Sequence, residues 1–350
     1  MKAARLNEPG GPLVIEEVPD PEVLPGGVKV RVERAAVPSF AAAVFSGALP
    51  IPLPVPYTPG PSCVGVVEST ANDVIGVSPG ARVFCSPYHK SIVNGGDTEE
   101  ILIGWFGMTP GSGPLMARWK NGAFAEKAVY PAGCVTAIDS DGAADDWIGL
   151  APLAIAYGGL LRCELPAGGT LMVNGATGNL GAAAVLTALA FGVERVYAVG
   201  RNEAVLERLR GLDPRRVVPI TVDTEEGYAA RLAASAGPVD ALLDALGYVQ
   251  SPLPTVAGIP LVKTGGSVVF MGGVFADIPI SYFQMLAKSL TVRGSFMHPQ
   301  NVPATLVSMV RGGVLDLKKM SVLSMPLHQV NEALKKAPQQ RGLDYCCIAP

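Results

Sequence analysis

The chain has 350 residues, 49% hydrophobic and 16% charged, so it can build a large buried core and lies far from the composition of disordered proteins. At about 100 to 200 residues per domain, this length implies two domains, or at most three. Its 27 basic and 30 acidic residues are scattered and leave a net charge of -3, which excludes a polyanion-binding surface and with it nucleic acid as a partner.

The opening Met1 to Glu8 lacks the apolar run of a signal peptide. Six cysteines, at 63, 85, 134, 163, 346 and 347, form no C-x-x-C pair and are spread too thinly for a disulfide framework. They are expected as buried, reduced thiols of a cytoplasmic protein. Gly27 to Glu33 alternates apolar and charged residues, the pattern of a half-buried strand in an antiparallel sheet or barrel. Prolines at 50, 52, 54 and 56 force an extended connection, because each lacks an N–H and restricts the residue before it. Cys63 to Glu68 reads as the next strand.

From Thr170 the pattern becomes strand, helix, strand. Leu171-Met172-Val173 is an apolar strand, Gly175 to Gly181 a turn, Ala182 to Phe191 a helix and Val196 to Val199 a second strand. A helix over Glu203 to Leu212 and strands at Val217 to Val222, Ala241 to Asp244 and Gly266 to Met271 follow. Such alternation implies parallel strands joined by right-handed crossovers in a doubly wound sheet. The uncharged run from Leu165 to Val193 is broken by glycines, a proline and asparagines, so it is strand, turn and buried helix rather than a membrane span. The tail from Val302 returns to a helix and mixed segments.

The turn Gly175-Ala176-Thr177-Gly178-Asn179-Leu180-Gly181 follows a strand and opens a helix, which makes a G-x-x-G-x-x-G pattern a dinucleotide fingerprint. About 20 residues further on, where an acid would hold the adenosine ribose of NAD, the chain reads Gly200-Arg201-Asn202. No acid there repels a 2′-phosphate and Arg201 offers a matching guanidinium fork, so NADP(H) is the expected cofactor. Arg201 as a solvated surface charge, with Glu203 on a ribose hydroxyl, is the competing reading.

With these residues placed, the chain resembles the medium-chain dehydrogenase/reductase superfamily over nearly its full length. The matching stretches are Met1 to Ala4, Pro56 to Gly60, Pro79 to Val83, Asn121 to Glu126, Ala156-Tyr157, the glycine turn, Asp244 to Gly247, Gly272-Gly273 and Val292 to Phe296. The resemblance implies an α/β protein with a GroES-like β-barrel substrate domain, residues 1–145 completed by 300–350, around a Rossmann doubly wound parallel sheet over 146–299. It also implies cofactor contacts at Leu246, Gly272, Gly273, Val274, Ser295, Phe296 and Met297. In zinc alcohol dehydrogenases of the superfamily a Cys, a His-Glu pair and a second Cys hold the metal. The matching positions here are Pro38, Pro61-Ser62 and about Ala151-Pro152, none of which replaces such a ligand. The lobe from Ser86 to Lys120 lacks the cysteines of the family's structural zinc as well.

The zinc-free branch, quinone oxidoreductases and enoyl reductases, is similar over Ser46 to Gly60, with Tyr57 at its pocket tyrosine. The branch's other polar pocket residues appear here as Pro38, Ala41 and Leu49. Reduction of a C=C conjugated to a carbonyl makes the smallest demand on such a pocket, since an enolate needs only hydrogen bonds and a proton. Tyr57 is the first candidate donor, with a buried structural tyrosine as the alternative, and Ser39, Tyr88 and His89 follow. His298 and His328 read as structural or exposed, Tyr157 as packing, and Cys163, Cys346 and Cys347 lack a visible base. The expectation is a zinc-independent NADPH-dependent reductase of a small apolar enone or quinone. A zinc-free carbonyl reductase or alcohol dehydrogenase is the alternative within enzymes, and an NADP-binding protein without turnover the alternative outside them. A homodimer paired through the edge strand Leu290-Thr291-Val292 is expected, with no membrane partner.

Overall fold

The computed structural model of the chain describes residues 1–49, 51–92, 98–222 and 225–350. Pro50 of the expected extended connection and residues 93–97 of the Ser86–Lys120 lobe lie outside the described residues.

In chain order the first region holds β1 (Lys2–Arg5), β2 (Val14–Glu17), β3 (Gly27–Val37), α1 (Ala41–Phe45), β4 (Cys63–Thr70), β5 (Arg82–Cys85), β6 (Tyr88–Ile92), β7 (Thr98–Leu102), β8 (Phe106–Gly107), α2 (Gly113–Trp119), β9 (Lys127–Pro131), β10 (Val135–Ala137) and α3 (Ala144–Trp147). The second holds α4 (Leu150–Arg162), β11 (Thr170–Asn174), α5 (Asn179–Phe191), β12 (Arg195–Gly200), α6 (Glu203–Arg210), β13 (Val217–Thr221), α7 (Glu225–Ser235), β14 (Val239–Asp244), α8 (Leu253–Gly258), β15 (Val262–Phe270), α9 (Tyr282–Lys288) and β16 (Thr291–Gly294). The tail adds α10 (Val302–Arg311), β17 (Ser321–Pro326), α11 (Val330–Lys336) and β18 (Asp344–Ala349).

Strand β3 organises the barrel, pairing antiparallel with β9 along its first half, with β4 along most of its length and with tail strand β18 at its end. Val28, Val30 and Val32 point into the core, as the alternation requires. The strand outruns the expected Gly27–Glu33 because the pairing with β4 slips between Val32 and Arg34. Past this bulge the alternation restarts on the other face, with Arg34 paired to Asp145 at 2.5 Å and Ala35 buried. The tail pair β17–β18 extends the same sheet.

Among the described residues the second sheet runs β13-β12-β11-β14-β15-β16, all parallel, with the strand order reversing beside β11. Both faces are covered. Leu171 and Val173 of β11 enter the core shared with α4 and α5, whereas Met172 between them enters the core on the opposite face. A strand buried on both sides shows no polar alternation, which is why these segments read as short apolar runs. Helix α5 begins three residues earlier than expected because Gly178, at its N-cap, already holds an extended conformation. Its Ala182–Ala184 stretch is fully buried, the small side chains letting the helix lie close on the sheet.

Candidate cofactor and substrate site

The glycine turn occupies the C-terminal end of β11, at the reversal of strand order where a dinucleotide crosses an open sheet. Gly175 has φ +78°, and a Cβ on Gly181 would stand 2.2 Å from the Gly175 carbonyl oxygen, so both positions admit only glycine. A Cβ on Gly178, by contrast, would find its nearest neighbour at 3.5 Å, leaving room for a ligand to approach. Helix α5 starts with no side-chain cap and no acid in its first turn, so its leading N–H groups are left for an anion.

Not every residue of the turn serves this end. The Ala176 N–H donates to Val199 O, and the Asn179 side chain donates to Gly342 O and Asp344 O at 3.1 and 2.7 Å. Ala176 is thus structural, and Asn179 ties the tail to the turn, keeping only its backbone for a ligand. Thr177 packs on Gly200 and holds the Gly342 N–H through its carbonyl. Leu180 is half-buried behind the turn.

At the end of β12 the Arg201 guanidinium is exposed and pairs with no side chain among the described residues. Asn202 accepts from the Val205 N–H as the N-cap of α6, and Glu203 follows in the first helical turn, also exposed. The remaining expected contacts line the same edge of the sheet. Leu246 follows β14, with its N–H held by Asp244; Gly272, Gly273 and Val274 follow β15, and Ser295, Phe296 and Met297 follow β16. Asp244 is buried, and burial pushes its carboxyl up although Thr255, the Leu246 N–H and Asn174 donate to it. The Ser295 hydroxyl is buried with no hydrogen-bond partner among the described residues. Met297 holds φ +53°, a left-handed conformation that a side chain rarely adopts, with its carbonyl against Gly158 of α4.

The barrel candidates are not gathered in this way. Tyr57 is fully enclosed in the barrel core, its hydroxyl without a partner, and burial pushes its pKa up. Its burial fits a structural barrel tyrosine rather than a cleft donor, but the hydroxyl makes no structural hydrogen bond among the described residues. Tyr88 begins β6; its hydroxyl donates to Glu100 at 2.7 Å, and Lys90 closes on the other carboxylate oxygen at 2.6 Å. The ring lies edge-on to Phe296 and to His298, with centroids 6.3 and 6.1 Å away. His89, next along the strand, turns to Trp119, where burial and then Arg118 hold its pKa down. Ser39 is half-buried before α1.

A polar pair does stand at the junction, and it includes His298, which from sequence reads only as structural or exposed. Ser86, just past β5, and His298, just past Met297, are both buried, with Ser86 Oγ and His298 Nε2 3.1 Å apart. They are separated by 212 residues, so no local pattern could have joined them. His328 is exposed, Tyr157 packs edge-on to Phe191, and the cysteines at 163, 346 and 347 are buried with their pKa values pushed up by burial.

Zinc does not fit the residues at the positions that the resemblance matches to its ligands. The positions matched to zinc ligands carry no donor side chain except Ser62, and no group of three or more His, Cys, Asp or Glu among the described residues could hold a metal. No helix among them is long and apolar enough to cross a membrane.

Residues 24–140 match the family described as alcohol dehydrogenase GroES-like domain, and residues 180–311 the family described as zinc-binding dehydrogenase. An alcohol dehydrogenase of Moraxella sp. (strain TAE123) is 26% identical over 344 residues, 97% of this chain and 96% of that protein. A quinone oxidoreductase of Mus musculus is 25% identical over 84% of this chain and 80% of its own. Among solved structures, a thermostable alcohol dehydrogenase from Pyrobaculum aerophilum superposes with a TM-score of 0.78 at 26% identity, covering 100% of this chain and 99% of its own. A protein from Sinorhizobium meliloti 1021, described as a zinc-binding dehydrogenase and solved bound to NADP, gives 0.79 at 23% identity with the same coverage, a likeness of fold.

Proposed function

The chain belongs to the medium-chain dehydrogenase/reductase superfamily and is an oxidoreductase of it, and we propose that it works without zinc, uses NADP(H) and reduces a small apolar enone or quinone. The observation that carries this reading is the replacement of every side chain at the metal positions beside an intact dinucleotide turn. Gly175, Thr177, Gly178 and the leading N–H groups of α5 would hold the pyrophosphate, and Arg201 the 2′-phosphate. Leu246, Gly272, Gly273, Val274 and Ser295 to Met297 would border the nicotinamide half, since it leaves the reversal point toward β14, β15 and β16. When bound, the reduced cofactor supplies a hydride equivalent. The protein's own part is to orient the substrate, exclude water and manage the proton.

Residues 1–145 with 300–350 act in this reading as the substrate-binding domain and 146–299 as the cofactor domain. A zinc-free carbonyl reductase or alcohol dehydrogenase is the second reading, favoured by the buried Ser86–His298 pair, which can exchange a proton with an alkoxide. We place the protein in the cytoplasm as a homodimer. The sheet edge β16 supports the dimer, as do Tyr282, Phe283 and Leu286 of α9, which are 83, 75 and 64% exposed. Leu290 itself is buried under α9, so the pairing edge would be Thr291 to Gly294. NADPH and NADH consumption against quinones, enones, aldehydes and ketones tests the function. Turnover of enones or quinones with NADPH is expected, and turnover confined to alcohols and aldehydes with NAD(H) would refute it.

A further inference from the structure

The reaction proposed above needs a proton as well as a hydride, and the two tyrosine candidates do not relay one: the Tyr57 hydroxyl has no hydrogen-bond partner among the described residues and the Tyr88 hydroxyl is committed to Glu100. Ser86 and His298 are built differently. His298 Nδ1 stands 2.9 Å from the carbonyl oxygen of Pro299, which can only accept, so the ring proton sits on Nδ1. Nε2 is therefore a lone pair, and the Ser86 hydroxyl donates to it at 3.1 Å. Ser86 Oγ also accepts a long hydrogen bond from the Tyr88 N–H at 3.4 Å and keeps one lone pair unfilled. This is a hydroxyl, a base and an orienting carbonyl in series, spanning the junction between barrel and parallel sheet.

We propose that Ser86 and His298 form the proton relay of this enzyme, with Ser86 Oγ meeting the substrate oxygen and His298 holding the proton behind it. The proposal rests on the functional reading above. In the reducing direction His298, protonated from solvent, gives its Nε2 proton to Ser86 Oγ while the Ser86 hydroxyl proton passes to the substrate oxygen. The electron pair on that oxygen is the one displaced as the hydride equivalent adds to the electrophilic carbon. The product has gained one hydride and one proton, Ser86 is again a hydroxyl and His298 is neutral. Oxidation runs the same transfers backward.

Burial holds the His298 pKa below its ordinary value, with the Pro299 carbonyl opposing in part. The titratable groups packed around the ring leave it no charged partner. Tyr88 presents its ring edge, Glu100 and Lys90 pair with each other beyond the Tyr88 hydroxyl, and Cys134 donates to the Tyr88 carbonyl. On α4, Gly158 faces His298 and Tyr157 turns to Phe191.

The chain has three histidines, so the His298 imidazole signals are identified by their loss in H298Q. In the free protein 15N spectra are expected to place the proton on Nδ1, and NADP+ to shift the His298 signals while leaving those of His328 in place. In NADPH-driven reduction, log kcat/KM of wild type should fall with unit slope above the His298 pKa. H298Q and S86A should lose on the order of a hundredfold in rate and flatten that limb while NADPH affinity stays within about twofold. A proton on Nε2, or a pH profile that H298Q leaves unchanged in an active enzyme, would overturn the relay. Failure to bind either cofactor would instead overturn the functional reading on which the relay rests.

Discussion

The C-terminal edge of the parallel sheet and the mouth of the barrel face each other across one junction, yet they hold their functional groups by different means. At the sheet edge the backbone does the work: Gly175 and Gly181 leave no room for a side chain, Gly178 leaves room for a ligand, and α5 points uncapped N–H groups at it. At the barrel mouth side chains do the work, through Tyr88 on Glu100 and Ser86 on His298. A backbone site is specified by local conformation and fails sharply. A side-chain site is assembled from distant parts of the chain and fails by degrees.

The sharpest test of that contrast lies within the turn itself. Gly181→Val places atoms against the backbone of Gly175 and Ala176, which cannot yield cheaply, and should cost about 3 kcal/mol or more of stability along with cofactor binding. Gly178→Ala meets nothing closer than 3.5 Å and should unfold within about 1 kcal/mol of wild type while binding NADPH at least tenfold more weakly, on the order of what a lost phosphate contact costs. Thermal melts and cofactor titrations of the two variants separate packing from binding. Equal melting and equal binding losses would erase the distinction.

Next in size, Arg201→Ala should weaken NADPH by about ten- to a hundredfold, the worth of a charge-assisted bidentate pair, and leave NADH nearly unchanged. The preference should shrink with added salt because Arg201 is exposed. Equal losses for both cofactors in the titration would assign Arg201 to the solvated surface and reopen the case for Glu203.

A smaller effect separates assembly from folding. Phe283 and Leu286 of α9 are exposed, so F283E together with L286E should leave the melting temperature of the subunit's own fold nearly unchanged. The same pair should convert a dimer to a monomer in light scattering at micromolar concentration. A monomeric wild type contradicts the dimer.

The smallest effect is the pH dependence that His298 contributes to stability. Its folded pKa lies below the unfolded value, so its contribution is present above about 6.5 and is lost as pH falls through the folded value. Denaturant titrations from pH 7.5 to 5 should therefore show wild type losing its advantage over H298Q as the solution is acidified. A gap that widens toward acid would mean that His298 is stabilised in its charged form.

The same contrast explains what the sequence made legible. Strand, turn and helix from Leu171 to Phe191 are contiguous, and the central strands β11, β12 and β14 carry short apolar stretches, so the order of that region could be read directly. The barrel is closed by pairings such as Ala35 with Ile348, which no local pattern announces. The bulge between Val32 and Arg34 hid the last residues of β3, because a slipped strand breaks its own alternation. Tyr57 was placed in a pocket by its neighbours in sequence, but its bridge to Leu6 draws it into the barrel core. His298 reads from sequence only as structural or exposed, and nothing ties it to Ser86 until the fold sets them face to face.

Whether hydride transfer proceeds without a metal, as proposed, is decided by NADPH-driven reduction with chelator-treated protein whose metal content is read by elemental analysis. Less than a tenth of a zinc per chain, on the order of adventitious binding where the described residues hold no ligand cluster, and a reduction rate unchanged by the chelator are expected. About one zinc per chain, with activity lost on chelation and restored by zinc, would contradict it.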